Sequence, residues 1–100
     1  MDTSILIAED DADIRDLLRL YLEGEGFQVL EAGDGASALR LAREQSPSMA
    51  ILDIMMPEMN GFELTRALRK YSDIPILILS AKSQDNDKIL GLNLGADDYI

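Results

Sequence analysis

The chain has 100 residues, of which 47% are hydrophobic and 28% charged; this composition is typical of a single folded domain spanning 1–100, without room for a second. The net charge of −10 argues against direct binding to nucleic acid or to an anionic membrane. The absence of Cys and His excludes thiolate chemistry, a His-containing triad and a His-ligated metal. No apolar run approaches the roughly 20 residues of a membrane span. We therefore expect a cytoplasmic protein.

The first two elements are a short strand and an amphipathic helix. Ser4–Ala8 is an apolar run that predicts a strand, and it ends abruptly in three acidic residues. Asp11 is a suitable N-cap for the helix, and Gly24 or Gly26 is a suitable stop. Apolar residues recur between them every three or four positions, as an amphipathic helix requires; they are Ile14, Leu17, Leu18, Tyr21 and Leu22.

The middle of the chain repeats this alternation of strand and helix. A glycine-rich break at 33–35 and a loop at 55–61, rich in turn residues, separate the predicted elements. These elements are a strand at Phe27–Ala32, a helix that runs to about Gln45, a strand at Met49–Ile54 and a helix that carries Phe62, Leu64, Ala67 and Leu68.

The last third predicts a strand that opens at Pro75, a helix from about Gln84 to Leu94, and a fifth strand that begins at Asp98–Ile100. Strands that alternate with helices of 10–15 residues indicate βαβ units. The predicted fold class is therefore α/β, with a parallel sheet covered by helices on both faces. The third and fourth strands are apolar enough to be buried on both sides.

Polar residues that carry chemistry follow the predicted strands. Glu9 and Asp10 follow the first strand, Asp53 closes the third, and Ser80 ends the fourth. Parallel strands deliver their carboxyl ends to one edge of the sheet, where ligands bind. Converging carboxylates repel one another, so either one takes a proton or a hard divalent cation occupies the cluster. A cation beside a carboxylate suits phosphoryl transfer to that carboxylate, although a lone acid at a strand end is often only its first exposed residue.

Four strings, in order and spacing, resemble the CheY-like receiver domain of response regulators: ILIAEDDADIR, AILDIMMPEMNGFEL, PILILSAK and LGADDYI. The last string is most similar to receivers that precede a winged-helix DNA-binding domain. The resemblance implies a flavodoxin-like fold with strand order 2-1-3-4-5. It also implies a Mg²⁺ or Mn²⁺ site formed by Glu9, Asp10, Asp53 and the backbone carbonyl of Met55. Asp53 would be the phosphoacceptor, Ser80 the switch hydroxyl and Tyr99 the switch aromatic.

The sequence departs from this family pattern in two ways. Glu9 stands where many receivers have Asp, which favours contact with the metal through water. The family's Lys after the fifth strand has no counterpart, since the sequence stops at Ile100; Lys82 is a weak substitute. We therefore expect an incomplete fifth strand, no fifth helix and impaired phosphorylation. We also expect association as a homodimer, or by exchange of elements, through the exposed sheet or the surface of the fourth helix and fifth strand.

The resemblance implies that a sensor histidine kinase phosphorylates Asp53, and that the surface of the fourth helix and fifth strand then switches. The chain would catalyse only its own phosphoryl transfer and dephosphorylation. One alternative is an aspartyl-phosphate phosphatase that uses Asp11 and Asp13, which have the required spacing but lie at a helix start. Another is a protein-binding module without phosphorylation. A flavodoxin is disfavoured because the acids after the first strand would repel the phosphate of FMN.

Overall fold

A computed structural model describes residues 3–79 and the backbone of residues 98 and 99. The elements in chain order are β1 (Ser4–Ala8), α1 (Ala12–Gly24), β2 (Gln28–Ala32), α2 (Gly35–Gln45), β3 (Met49–Asp53), α3 (Gly61–Leu68), β4 (Ile76–Leu79) and β5 (Asp98–Tyr99). The predicted elements in this part of the chain are confirmed, with bounds shifted by one or two residues. The predicted fourth helix lies outside the described residues.

The five strands form one parallel sheet in the order β2-β1-β3-β4-β5. The chain steps outward from β1 to β2 and then crosses back to β3. Right-handed crossovers in opposite directions place α1 on one face and α2 with α3 on the other. The structure therefore confirms the doubly wound α/β fold and the strand order that the sequence implies.

The main core lies between the sheet and the pair α2 and α3. Alternate strand residues point to this face, and Leu6, Leu52 and Ile78 are fully buried there with Leu64 and Leu68 of α3. Helix α2 contributes Ala38 and Ala42, whose small side chains let the helix approach the sheet closely. This packing fixes the orientation of β1 and β3, the two strands that lead into the acidic residues.

The opposite face is less completely covered than the apolar pattern predicts. No residue of α1 is fully buried: Leu18 and Leu22 are half-buried, whereas Leu17 and Tyr21 are each 69% exposed. Among the elements that the structure describes, α1 packs mainly on β1 and β2, while α2 and α3 lie on the other face. None of the helices in the described part of the chain has the length and apolarity to cross a bilayer.

Strand β4 shows the same difference between the two faces of the sheet. Ile76 and Ile78 are buried, whereas Leu77 and Leu79 on the alternate face are only half-buried. The expectation of burial on both sides is thus wrong for β4. It is nearly met by β3, whose three central residues are all buried.

Candidate metal centre

The register of β1 and β3 brings the acidic residues together. Ala8 pairs with Leu52 in the parallel ladder, so the next residues, Glu9 and Asp53, stand at the same edge of neighbouring strands. Asp10 follows directly. Each of the three side chains offers a carboxylate oxygen, and these oxygens lie within 4.8 Å of one another. The structure thus brings together the three carboxylates that the sequence places at this edge.

Glu9 is the most enclosed of the three acids, with only 5% of its surface exposed. Burial raises the pKa of Glu9 from its ordinary value of 4.5 to about 7, and the charges of Asp53 and Asp10 act in the same direction. The backbone N–H of Asp11 donates to Glu9 Oε1 at 3.1 Å and partly opposes this rise. The site therefore disfavours the charged form of Glu9, and either a proton or a bound cation would relieve this cost.

Asp53 ends β3 and is half-buried. Burial raises its pKa, and the charge of Asp10 adds to the rise. The backbone N–H groups of Met55 and Ile54, together with a hydrogen bond to Glu9, lower it. Asp53 is therefore subject to opposing influences at the edge of the sheet, where burial disfavours its charged form and nearby N–H groups favour it.

Asp10 is exposed and lines an open groove of about 530 Å³ together with Ile54, Met55, Met56, Pro57 and Asn60. Met56 is buried at 7% exposure, whereas Met55 is 61% exposed. The loop therefore turns the Met55 side chain outward, beside Asp10.

Gly61 contributes to the site in a way that the sequence alone did not reveal, since it was expected only as a turn residue. A Cβ at Gly61 would collide with the backbone carbonyl oxygen of Asp53. The Gly61 N–H donates to Ile54 O at 3.1 Å, and the buried Thr65 hydroxyl donates to Gly61 O at 2.8 Å. Only a residue without a side chain lets α3 begin this close to Asp53.

Comparison with known proteins identifies the chain. Residues 5–100 match the family described as "Response regulator receiver domain". The chain belongs to the response regulator receiver family. It is therefore a receiver domain of the kind found in two-component signalling proteins, with the CheY-like fold that its strand order indicates.

Two curated relatives show how far the similarity of this receiver extends. The chain is 49% identical over 100 residues to response regulator GtcR of Aneurinibacillus migulanus, covering 100% of the chain and 41% of that relative. It is 47% identical over 103 residues to DNA-binding response regulator MtrA of Mycobacterium tuberculosis (strain H37Rv), covering 100% of the chain and 45% of MtrA. The chain thus spans less than half the length of these relatives.

Solved structures agree with the fold. The BeF3-activated receiver domain of Klebsiella pneumoniae RstA has a TM-score of 0.94 and 34% identity, over 98% of this chain and 84% of that one. Chemotaxis protein CheY4 of Vibrio cholerae has a TM-score of 0.96 and 31% identity, over 100% of this chain and 86% of that one. The doubly wound fold is therefore that of known receivers.

The other predicted site residues stand differently in the structure. The backbone N–H of Met55 lies close to the Asp53 carboxylate. Metal binding by the Met55 carbonyl stays a prediction. Ser80 and Lys82 lie outside the described residues, as does the side chain of Tyr99, whose backbone pairs with Ile78.

Asp11, one of the two acids considered for a phosphatase, has a structural role. The Asp11 carboxylate accepts hydrogen bonds from the backbone N–H groups of Asp13 and Ile14 and caps α1. Because Asp11 is engaged with the helix rather than with the acidic cluster, and because the chain belongs to the receiver family, the phosphatase alternative falls away.

Proposed function

We propose that this receiver accepts a phosphoryl group on the carboxylate of Asp53, beside Mg²⁺ or Mn²⁺ held by Glu9, Asp10, Asp53 and the Met55 carbonyl. The observation that carries the proposal is the convergence of three carboxylates within 4.8 Å at the open edge of the sheet. All the proposed ligand atoms are oxygens, which hard divalent cations prefer. Burial and the neighbouring acids raise the pKa of Glu9, and a bound cation would favour its charged form.

The reaction follows from the residues of the site. An Asp53 oxygen attacks phosphorus in line with the leaving group, forming an acyl phosphate, while the bond from phosphorus to the donor's imidazole nitrogen breaks. The electron pair stays on that nitrogen, which takes up a proton from solvent. When bound, the cation supplies positive charge for the nucleophile and the incoming phosphoryl oxygens. The chain has no His, so the phosphohistidine belongs to a partner, a sensor histidine kinase.

The response to phosphorylation runs toward β4 and β5. The Ser80 hydroxyl, which directly follows β4, donates to the new phosphoryl oxygens, and Tyr99 of β5 moves into the space that Ser80 leaves. This change alters the surface of the fourth helix and β5, through which copies of the receiver associate. The receiver acts on no substrate beyond its own phosphoryl group.

The relatives support the proposal that this receiver belongs to a cytoplasmic regulator of transcription. MtrA is named a DNA-binding response regulator, and the matched segment covers only 45% of it. The net charge of −10 disfavours DNA contact by the receiver itself. Binding to DNA would then belong to the rest of a longer protein.

The test uses a small phosphodonor such as acetyl phosphate with Mg²⁺, and intact-mass spectrometry to detect one added, hydroxylamine-sensitive phosphoryl group. We expect wild type to be modified and Asp53→Asn to remain unmodified. Asp34→Asn is the matched control, because Asp34 follows β2, two strands from β3 at the same edge of the sheet. Equal modification of Asp53→Asn and wild type would contradict the proposal.

A further inference from the structure

Arg15 on the second turn of α1 reaches back to the start of the acidic loop. Its Nη1 donates to the backbone carbonyl oxygen of Glu9 at 2.7 Å, and its Nε lies 3.6 Å from Glu31 Oε1 on β2. The side chain is 22% exposed. Helical side chains point toward the N-terminus of their helix, which explains how a residue six positions later contacts Glu9.

The contact falls on the peptide that joins two of the three clustered acids. Glu9 is held on its other side by its N–H, which donates to Ala32 O at 3.0 Å. Its carboxylate accepts from the N–H of Asp11 at 3.1 Å. Arg15 supplies the restraint on the carbonyl, so the plane of the peptide between Glu9 and Asp10 is fixed. The direction of that plane decides where the Asp10 side chain leaves the backbone.

Arg15 is itself held in place. Glu31 anchors its guanidinium, and the neighbouring Arg19 lies 3.5 Å from the other oxygen of the same carboxylate. Gly33 lies against the guanidinium: a Cβ there would lie 3.3 Å from Arg15 Nη1. The planar guanidinium can serve Glu9 and Glu31 at once, which an ammonium group cannot do with the same geometry.

We infer that Arg15 is a positioning residue for the metal centre, which orients Glu9 and Asp10 through the carbonyl of Glu9. This inference rests on the proposed function, because it assigns the acidic cluster to a divalent cation. The direction of the change in cation affinity when Arg15 is removed distinguishes positioning from a simple effect of charge. Removing a positive charge near a cation site tightens cation binding by reducing repulsion, whereas losing the orientation of the ligands weakens it.

The test is titration calorimetry with Mg²⁺ at about 0.15 M salt, where exposed charges more than about 8 Å apart are largely screened. We expect Arg15→Ala to bind Mg²⁺ about 10-fold more weakly than wild type. Arg15→Lys should recover part of the loss, because one ammonium hydrogen bond to Glu9 O replaces one of the two contacts. Arg19→Ala is the matched control, since Arg19 pairs with Glu31 as Arg15 does but otherwise with Asp16 and Glu23, outside the acidic cluster. The Mg²⁺ affinity of this variant should stay within about twofold of wild type.

A second measurement on the metal-free protein keeps the two proposals separate. Without Arg15 the loop opens more readily, so we expect the Asp11 amide to exchange its hydrogen about 10-fold faster in Arg15→Ala, while the Ala38 amide in α2 is unchanged. Unchanged exchange at Asp11, or unchanged or tighter Mg²⁺ binding by Arg15→Ala, would overturn the inference alone. A wild-type protein that fails to bind Mg²⁺ would overturn the proposed function, and the exchange experiment would then show only whether Arg15 restrains Glu9 in the metal-free protein.

Discussion

Asp34 and the acidic cluster of Glu9, Asp10 and Asp53 lie at the same edge of the sheet, but their surroundings have opposite effects on the charged carboxylate. After β2, Asp34 caps α2: its carboxylate accepts from the Ser37 N–H at 2.7 Å and from the Ser37 hydroxyl at 3.0 Å. These hydrogen bonds lower the pKa of Asp34. After β1 and β3, burial and mutual repulsion raise the pKa of Glu9 and of Asp53. The fold therefore favours the charged form of Asp34 and disfavours the charged forms of Glu9 and Asp53.

The difference shows why acidity alone is a poor guide to a site in this chain, which has 19 acidic residues. Donors from the helix that Asp34 caps stabilise the charged form of its carboxylate, as is usual for an N-cap. The acids of the cluster face one another, and within the described residues Glu9, Asp10 and Asp53 are the group whose oxygens could share a metal ion. Raised pKa values in a cluster of this kind are what distinguish a candidate site from an acid that caps a helix.

The largest expected effect is on metal affinity. Asp10→Asn keeps the shape of an exposed side chain but removes one negative charge and one charged ligand from the cluster. We expect Mg²⁺ to bind roughly 100-fold more weakly, equivalent to about 2.7 kcal/mol. Asp34→Asn at the same edge should change the affinity by less than about twofold. Titration calorimetry measures both, and an equal loss in the two variants would mean that the cluster has no special role.

The second effect is a dependence of stability on pH in the absence of metal. Because the pKa of Glu9 is about 7 in the folded chain and 4.5 ordinarily, the folded state binds more protons between these values. The free energy of unfolding should therefore fall as the pH rises from about 4.5 to 7, by about 2 kcal/mol. Urea denaturation in EDTA across this window measures it.

Glu9→Gln is the control for this pH dependence, since it keeps the size of the side chain and cannot ionise. Its stability should vary much less between pH 4.5 and 7. Asp34 acts with the opposite sign, because its lowered pKa adds stability that is lost only as the pH falls below the ordinary value of 3.8. A wild-type curve that rises between pH 4.5 and 7 would show that the pKa of Glu9 is not raised in the folded chain.

The sequence predicted the parts of this molecule that depend on local patterns. The spacing of apolar residues placed the strands, and Asp11 was recognised as an N-cap because capping involves residues only two or three positions apart. The acidic cluster could also be predicted, since parallel strands end at one edge and Glu9, Asp10 and Asp53 follow neighbouring strands. Resemblance to a known family then assigned roles to these residues.

What the sequence did not reveal depends on contacts between elements. The need for Gly61 arises from the approach of α3 to Asp53, and no local pattern distinguishes it from an ordinary turn glycine. The exposure of Leu17 and Tyr21 likewise depends on which elements cover α1, although their spacing is that of a buried stripe. The contact between Arg15 and Glu9 needs both the helix direction and the position of β1.

The smallest effect separates structure from function at Asp34. Asp34→Ala removes the N-cap of α2, so the free energy of unfolding at pH 7 should fall by about 1 kcal/mol, whereas Asp34→Asn should lose only a few tenths because Asn caps equally well. Chemical denaturation measures both values. Since the cap lies outside the cluster, Mg²⁺ affinity and phosphorylation of the folded Asp34→Ala protein should match wild type. The contrary result would be that Asp34→Ala weakens Mg²⁺ binding as much as Asp10→Asn does. Asp34 and the acidic cluster would then act as one electrostatic unit, and the distinction between a helix cap and a cation site would be wrong.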